Sequence, residues 1–250
     1  MKDIDHKTIV EQHGFEYHYP FGPMLTTSHA PQEIVDGINR WADDAFAGTE
    51  DSMDMSPNLV GNQTQELLVP EDVVKDTGLW MWLVRNAQLY WDAHVHTVPR
   101  WNSTYALTIP QLKNVGIISV WCNQAFAGDY NAMHNHSGHL SGILYLKFPQ
   151  EIIDEQSAGK LGNDKMNKNH YNGSTQIISP STIGQTFNNH TFDVQKPRPG
   201  DFVMFPSWTY HQVWPFATPN VERRTLSFNV GFELGQYKGE DPRDAMHNKD

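Results

Sequence analysis

The run PRPGDFVMFPSWTYHQVWPFATPNVERRTLSFNVGF, residues 197–232, decides the fold class. Pro199-Gly200-Asp201 has the chemistry of a tight turn. Phe202-Val203-Met204-Phe205 is short and apolar enough for a buried strand. Pro206-Ser207-Trp208 breaks it, and a second short strand resumes from Gln212 to Phe216. From Thr225 to Leu234 the pattern has period two. Arg223, Thr225, Ser227 and Asn229 fall on one face, and Leu226, Phe228 and Val230 on the other. A polar row on a strand whose opposite face is buried is costly unless the row binds something. Guanidinium is the side-chain group that grips a carboxylate with two parallel hydrogen bonds.

The same texture extends upstream. Val115 to Phe126 and Leu140 to Phe148 are rich in β-branched and aromatic residues. Short strands divided by Gly, Pro and Asn clusters argue for a sandwich or barrel. Residues 150–196 form a long polar interval, read as an insertion and the natural lid. Before Pro110 the pattern is helical. Pro31 opens a run in which Ile34, Val35, Ile38, Trp41 and Phe46 recur at helical spacing, with Gly48 beyond its end. Residues 49–64 read as a loop. Pro70-Glu71-Asp72 opens a further helix, continued by Leu79, Leu83, Ala87 and Tyr90 to about His94. Trp80, Trp82 and Trp91 read as core rather than as a cofactor box.

The expected class is therefore α+β, mainly β, with helices first and an antiparallel β part after them. Residues 1–110 are the supporting helical part with early strands, and 111–235 the β core with insertion 150–196. A loose tail, 236–250, follows, and the whole makes a single domain.

The chain has 250 residues and a formal net charge of −11, so it repels phosphate backbones and nucleic-acid binding is disfavoured. Its one cysteine, Cys122, excludes an intramolecular disulfide and a cysteine-based zinc cluster. No signal-peptide pattern opens the chain and no long apolar run occurs, so a cytoplasmic location without a membrane span is expected.

Chemistry concentrates in MHNHSGHLSG, residues 133–142. On a straight strand His134 and His136 project to one face, where they could chelate one ion, while His139 does not share it. With 13 histidines present, a chance pair is equally open. The string His-Asn-His is not the HNH nuclease motif, whose residues are spread over a ββα unit. His211 lies at the start of a strand, and Arg223 follows twelve residues later.

AGDYNAMHNHSGHLSGILYLKFP, then PGDFVMFPSWTYHQV, then ERRTLSFNVGF resemble in order the motifs of a family of Fe(II)/2-oxoglutarate-dependent oxygenases common in marine bacteria and cyanophages. That family's pattern is H-x-H-P, S-G-x-Y-Y, F-P-S-W-x-x-H and E-R-x-S-x-x-F-N, and the likeness spans residues 117–232. The resemblance implies a double-stranded β-helix, or jelly roll, with N-terminal helices packed on it. It implies His134, His136 and His211 as ligands of Fe(II), and Arg223 with Thr225 as the grip on 2-oxoglutarate. Tyr145 is then a second contact to that cosubstrate, and O₂ is the oxidant. Trp121, Asn123, Trp208 and Asn229 are candidate pocket residues. The implied reaction is hydroxylation of an unidentified small molecule or peptide with release of succinate and CO₂.

Three positions depart from the family pattern. Where its second metal residue is Asp or Glu, this chain has His136; Asp129 is the alternative carboxylate. Ser137 replaces a proline and Leu144 a tyrosine. His136 is not Ala or Gly, so a halogenase is not indicated. Two other classes account for the histidines: a non-catalytic cupin-like metal-binding protein, and a zinc hydrolase with an open water position. Both leave Arg223 without a role.

Overall fold

The computed structural model describes residues 16–18, 24–50, 52–97, 111–158, 170–178 and 191–235. The expected tail from Gln236 lies outside them. Strands β1 (Glu16–His18) and β2 (Leu25–His29) lead into helix α1 (Gln32–Phe46). Next come a 3₁₀ turn at Ser56–Asn58, β3 (Gln65–Leu68), α2 (Glu71–Asp76) and α3 (Leu79–Thr97). The remaining elements are β4 (Gln111–Ala125), β5 (Asn131–His134), β6 (Leu140–Lys147), α4 (Gln150–Ala158), β7 (Thr175–Ile178), β8 (Thr191–Val194), β9 (Asp201–Pro206), β10 (His211–Val213) and β11 (Arg223–Gly235).

The strands form two antiparallel sheets, a seven-stranded one in the order β1-β2-β9-β6-β11-β4-β3 and a four-stranded one in the order β5-β10-β7-β8. This is the jelly-roll arrangement, two sheets facing each other across a core. The first three strands come from the N-terminal part, so that part and the β core share one sheet.

β11 divides the molecule. Leu226, Phe228 and Val230 are fully buried on the helix side, in one cluster with Ile34, Ile38 and Ala42 of α1 and Leu79, Leu83 and Ala87 of α3. Removing a side chain such as Phe228 from water stabilises the fold by roughly 2–3 kcal/mol. A smaller cluster, including Ile143, Ile177, Val203, Phe205 and Phe216, fills the space between the sheets. The tryptophans behave as core residues. Trp82 meets Phe202 edge-on with ring centroids 4.6 Å apart, Trp91 meets Phe232 at 5.4 Å, and Trp80 is packed on the helix-side cluster. No helix among the described residues is long and apolar enough to cross a membrane.

Gly142 of β6 is required by close approach. A Cβ there would press on the Val203 carbonyl oxygen and stand 2.6 Å from Cζ of Phe228. Gly142→Ala is expected to destabilise the protein by about 1–3 kcal/mol, as overpacking does, read as a lower urea midpoint at unchanged slope.

Several elements differ from the sequence expectation. The interval 150–196 is not one insertion: its described part supplies α4, β7 and β8, the last two making half of the smaller sheet. The helix expected from Pro70 to about His94 is two helices, separated at Gly78, whose φ of +78° cannot continue a right-handed helix. The strand expected over 212–216 is only His211–Val213. β5 ends at His134, so His136 lies in the following turn rather than on a straight strand. β3 had no sequence signal strong enough to be expected.

Candidate metal centre and cavity

His134 and His211 are register partners on the antiparallel strands β5 and β10, which brings their rings to 4.3 Å between centroids. His136 arrives by a different device. The turn after β5 is pinned to Ser207, whose carbonyl accepts from the His136 backbone N–H at 2.9 Å and whose hydroxyl donates to the Gly138 carbonyl at 2.7 Å. Gly138 has φ of +93°, which lets the turn close. The result sets His136 Nε2 3.2 Å from His211 Nε2, and one ligand atom from each of the three histidines lies within 4.8 Å of the others.

Tautomers are fixed by the neighbours. His134 Nδ1 lies 2.7 Å from the Ala132 carbonyl and His211 Nδ1 3.1 Å from that of Thr209. A carbonyl only accepts, so each Nδ1 carries the proton and each Nε2 keeps its lone pair. Burial lowers all three pKa values, to about 4 for His136 and about 3 for His211; the neighbouring His134 adds to the effect at both. The imidazoles are therefore neutral at neutral pH, the form that binds metal. Two nitrogens bonded at about 2.1 Å to one ion and 90° apart would stand about 3.0 Å from each other. The 3.2 Å found between two of them fits that requirement. The donor set is three nitrogens and no carboxylate. Asp129 is not part of it: its Oδ2 accepts from the Thr64 N–H, the Thr64 hydroxyl and the Phe126 N–H, and so clamps a loop. His139 is exposed, lies against the Phe232 ring and accepts from its backbone N–H, away from the cluster.

The histidines open into a cavity of about 300 Å³ between the sheets. The polar face of β11 lines it with Arg223, Thr225, Ser227 and Asn229, as the period-two pattern requires, and β4 adds Trp121 and Asn123. Trp121 lies 5.5 Å from the His136 ring, and Asn123 donates to the Ser227 hydroxyl at 3.2 Å.

Arg223 is 1% exposed. Its Nε donates to the Gly173 carbonyl at 2.9 Å and its Nη2 to the Thr175 hydroxyl at 3.2 Å. Among the described residues no carboxylate pairs with it. A buried cation without an anionic partner is expensive, and burial accordingly pulls its pKa down, with Tyr145 opposing. Arg224, one residue on, points to the helix side and meets Glu222 at 2.6 Å and Asp43 at 2.8 Å. Alternation along β11 thus separates two adjacent arginines into one that is paired and one that faces the cavity.

Tyr145 does not line the cavity. It is fully buried and donates to the Thr175 hydroxyl at 2.9 Å, with the Arg223 guanidinium 5.5 Å from its ring centre. It therefore orients the residues that face the cavity. Trp208 corrects an expectation: it is 51% exposed and outside the cavity, because the turn closed by Thr209 N–H on the Pro206 carbonyl aims it outward. Phe205, on the buried strand β9, packs 5.0 Å from the His211 ring.

Thr175 and Glu66 are among the cavity residues that had no sequence signal. Thr175 sits in the segment read as an insertion. Glu66, on edge strand β3, is 6% exposed, and burial first and the charge of Asp54 second push its carboxyl up to about 7. Near pH 4.5 and below, both folded and unfolded chains hold that proton. As pH rises from 4.5 to about 7, only the unfolded chain releases it, so folded-state stability falls across this window and levels off above it. The shift corresponds to about 3 kcal/mol. Glu66→Gln is expected to remove this slope, so that in urea titrations its stability relative to wild type rises between pH 4.5 and about 7.

Residues 119–229 match the family model described as "Putative 2OG-Fe(II) oxygenase". Among solved structures, the chain is similar to a Pseudomonas putida prolyl-4-hydroxylase, with 15% identity and TM-score 0.41, covering 93% of this chain and 97% of that one. It is also similar to HygX from Streptomyces hygroscopicus, solved with nickel, 2-oxoglutarate and hygromycin B, with 10% identity and TM-score 0.47, covering 91% and 87%. A third similar structure is a prolyl hydroxylase from Trichoplax adhaerens in complex with a hypoxia inducible factor peptide, at 11% identity, TM-score 0.41 and 97% and 90% coverage. A search of curated protein sequences returns no match.

Proposed function

We propose that this chain, whose residues 119–229 match the 2OG-Fe(II) oxygenase family model, is such an oxygenase, that His134, His136 and His211 hold the iron, and that Arg223 binds the far carboxylate of 2-oxoglutarate. The single observation that carries these roles is Arg223, a buried cation with no carboxylate partner among the described residues, lining the cavity into which three neutral imidazoles converge.

The bound iron supplies a dioxygenase reaction in which 2-oxoglutarate, O₂ and a substrate C–H become succinate, CO₂ and C–OH, one oxygen atom entering each organic product. The chain's own residues do the rest. Backbone carbonyls of Ala132 and Thr209 hold two imidazoles with Nε2 toward the ion. Gly173 and Thr175 hold the guanidinium, Tyr145 holds Thr175, and Thr225 stands beside Arg223 on the same strand face. Phe205 and Ile143 limit water on the inner side. With His136 in place of a carboxylate, the ligand set carries one less negative charge than the usual two-histidine, one-carboxylate set. The interval read as a lid contributes to the cavity wall, since β7 carries Thr175.

The test is anaerobic. Metal-free protein given Fe(II) and then 2-oxoglutarate should develop the weak visible charge-transfer band of the chelated cosubstrate. Metal binding without that band contradicts the proposal and favours a hydrolase or a binding protein, the two classes in which Arg223 is idle.

A further inference from the structure

The lining of the cavity is divided by charge. Arg223 faces it from β11, and Glu66 faces it from the edge strand β3. Among the described residues no Lys or Arg pairs with Glu66. The Trp121 indole N–H donates to its carboxyl, which leaves further acceptor capacity unused. Three more acceptors lining the same space have no hydrogen-bond donor: Gln63 Oε1, Asn131 Oδ1 and Asn229 Oδ1, each buried. Buried polar atoms are ordinarily paired, and each that is not costs stability. An amide can turn and offer its NH₂ group instead. Glu66 is the one of these groups that can take a negative charge, and once ionised it only accepts, so it favours a positive partner.

We propose that the substrate presents a cationic nitrogen group, an ammonium or a guanidinium, which Glu66 binds, while Gln63, Asn131 and Asn229 offer further acceptors along the cavity wall to the rest of the substrate. This rests on the oxygenase reading of the same cavity and specifies its substrate class. The size of the cavity, about 300 Å³ and shared with 2-oxoglutarate, restricts the bound portion to a small amine or a single Lys or Arg side chain. A cation arriving there also exchanges a costly buried acid for a paired one: the carboxyl pushed up to about 7 by burial ionises when a positive partner is present.

The rival role for Glu66 is to hold Trp121 against His136. Glu66→Gln separates the two, since its amide oxygen still accepts from the indole but carries no charge. Glu66→Asp keeps the charge and should restore cation preference in part. The experiment uses Fe(II)-loaded protein with 2-oxoglutarate and millimolar probes: L-lysine and L-arginine, their neutral counterparts L-norleucine and L-citrulline, and the blocked Nα-acetyl-lysine amide with its norleucine analogue. Perturbation of each protein's own probe-free charge-transfer band is read first, then probe-stimulated succinate formation in air.

The expected result is a response to cationic probes at least about tenfold stronger than to their neutral counterparts, lost in Glu66→Gln and partly kept in Glu66→Asp. A preference for free lysine or arginine points to a small amine, and one for the blocked lysine to a peptide side chain. Equal response to neutral counterparts, an undiminished response in Glu66→Gln, or no response to any cationic probe overturns the proposal. Absence of the band in unprobed wild type is a different failure: it removes the oxygenase reading and this one with it.

Discussion

His211→Ala is expected to lose Fe(II) binding and with it all 2-oxoglutarate-dependent turnover. Alteration of a residue that merely orients a ligand costs about 10–100-fold in metal affinity; losing one of three ligands should cost at least about 100-fold. His211 is the most deeply buried of the three, and its Nε2 faces His136 at 3.2 Å. Its pKa of about 3 means that it gives up no proton on binding metal at neutral pH, so the loss is of coordination and not of a titrating group. The measurement is the charge-transfer band in the anaerobic titration, with metal content determined in parallel. A His211→Ala protein that binds Fe(II) and shows the band as wild type does would exclude the three-histidine centre. His139→Ala serves as the control, since His139 is exposed and outside the cluster, and it should give the wild-type band.

Arg223→Met is expected to leave Fe(II) binding in place and raise the 2-oxoglutarate requirement by roughly 100-fold. Truncating one partner of a buried charge pair costs about 2–5 kcal/mol, and about 3 kcal/mol is some two decades in affinity. Methionine keeps an apolar chain in the space and removes the cation. The variant need not be less stable than wild type without cosubstrate, because the cation it removes is buried with no carboxylate among the described residues. That combination, unchanged or raised thermal stability with a large loss of cosubstrate affinity, separates a binding role from a structural one. Arg224→Met is the contrast. It breaks ion pairs with Glu222 and Asp43 on the helix side and should lower stability with little effect on the 2-oxoglutarate requirement. If both variants bind 2-oxoglutarate as wild type does, Arg223 is not its grip.

The parts of this site that could be read in the sequence are those whose geometry is local. Period two along β11 places Arg223, Thr225, Ser227 and Asn229 on the cavity side, because residues i and i+2 of a strand share a face wherever the strand sits. The same rule misplaces His136, which reaches the cluster only because Ser207, some seventy residues on, holds the turn after β5. Long-range pairing hides the rest. β7 and β8 are four-residue strands, and their identity as strands comes from pairing with each other and with β10. Gln-Glu-Leu-Leu at 65–68 has no alternation to mark it; its pairing with β4 is what buries Glu66. Trp208 shows the opposite error: a large aromatic beside a candidate ligand suggested a pocket wall, but a tight turn reverses its direction. Thr175 could not be suspected without the register that sets β7 beside β10.

Among the strands β3 pairs with β4 alone, and its outer side meets only a short bridge at Asp54, whereas β11 is paired with a strand on both sides near its middle. Glu66, on β3, and Met55, Leu59, Val60 and Gln63, in the segment leading to it, form one part of the cavity lining. Edge and loop positions tolerate replacement better than interior strands, because fewer neighbours must move with them. Descendants of this sequence could therefore exchange one substrate preference for another through changes within residues 55–66, while the histidines and Arg223 pass on unaltered. Selection would find the chemistry hard to lose and its target easy to rewrite.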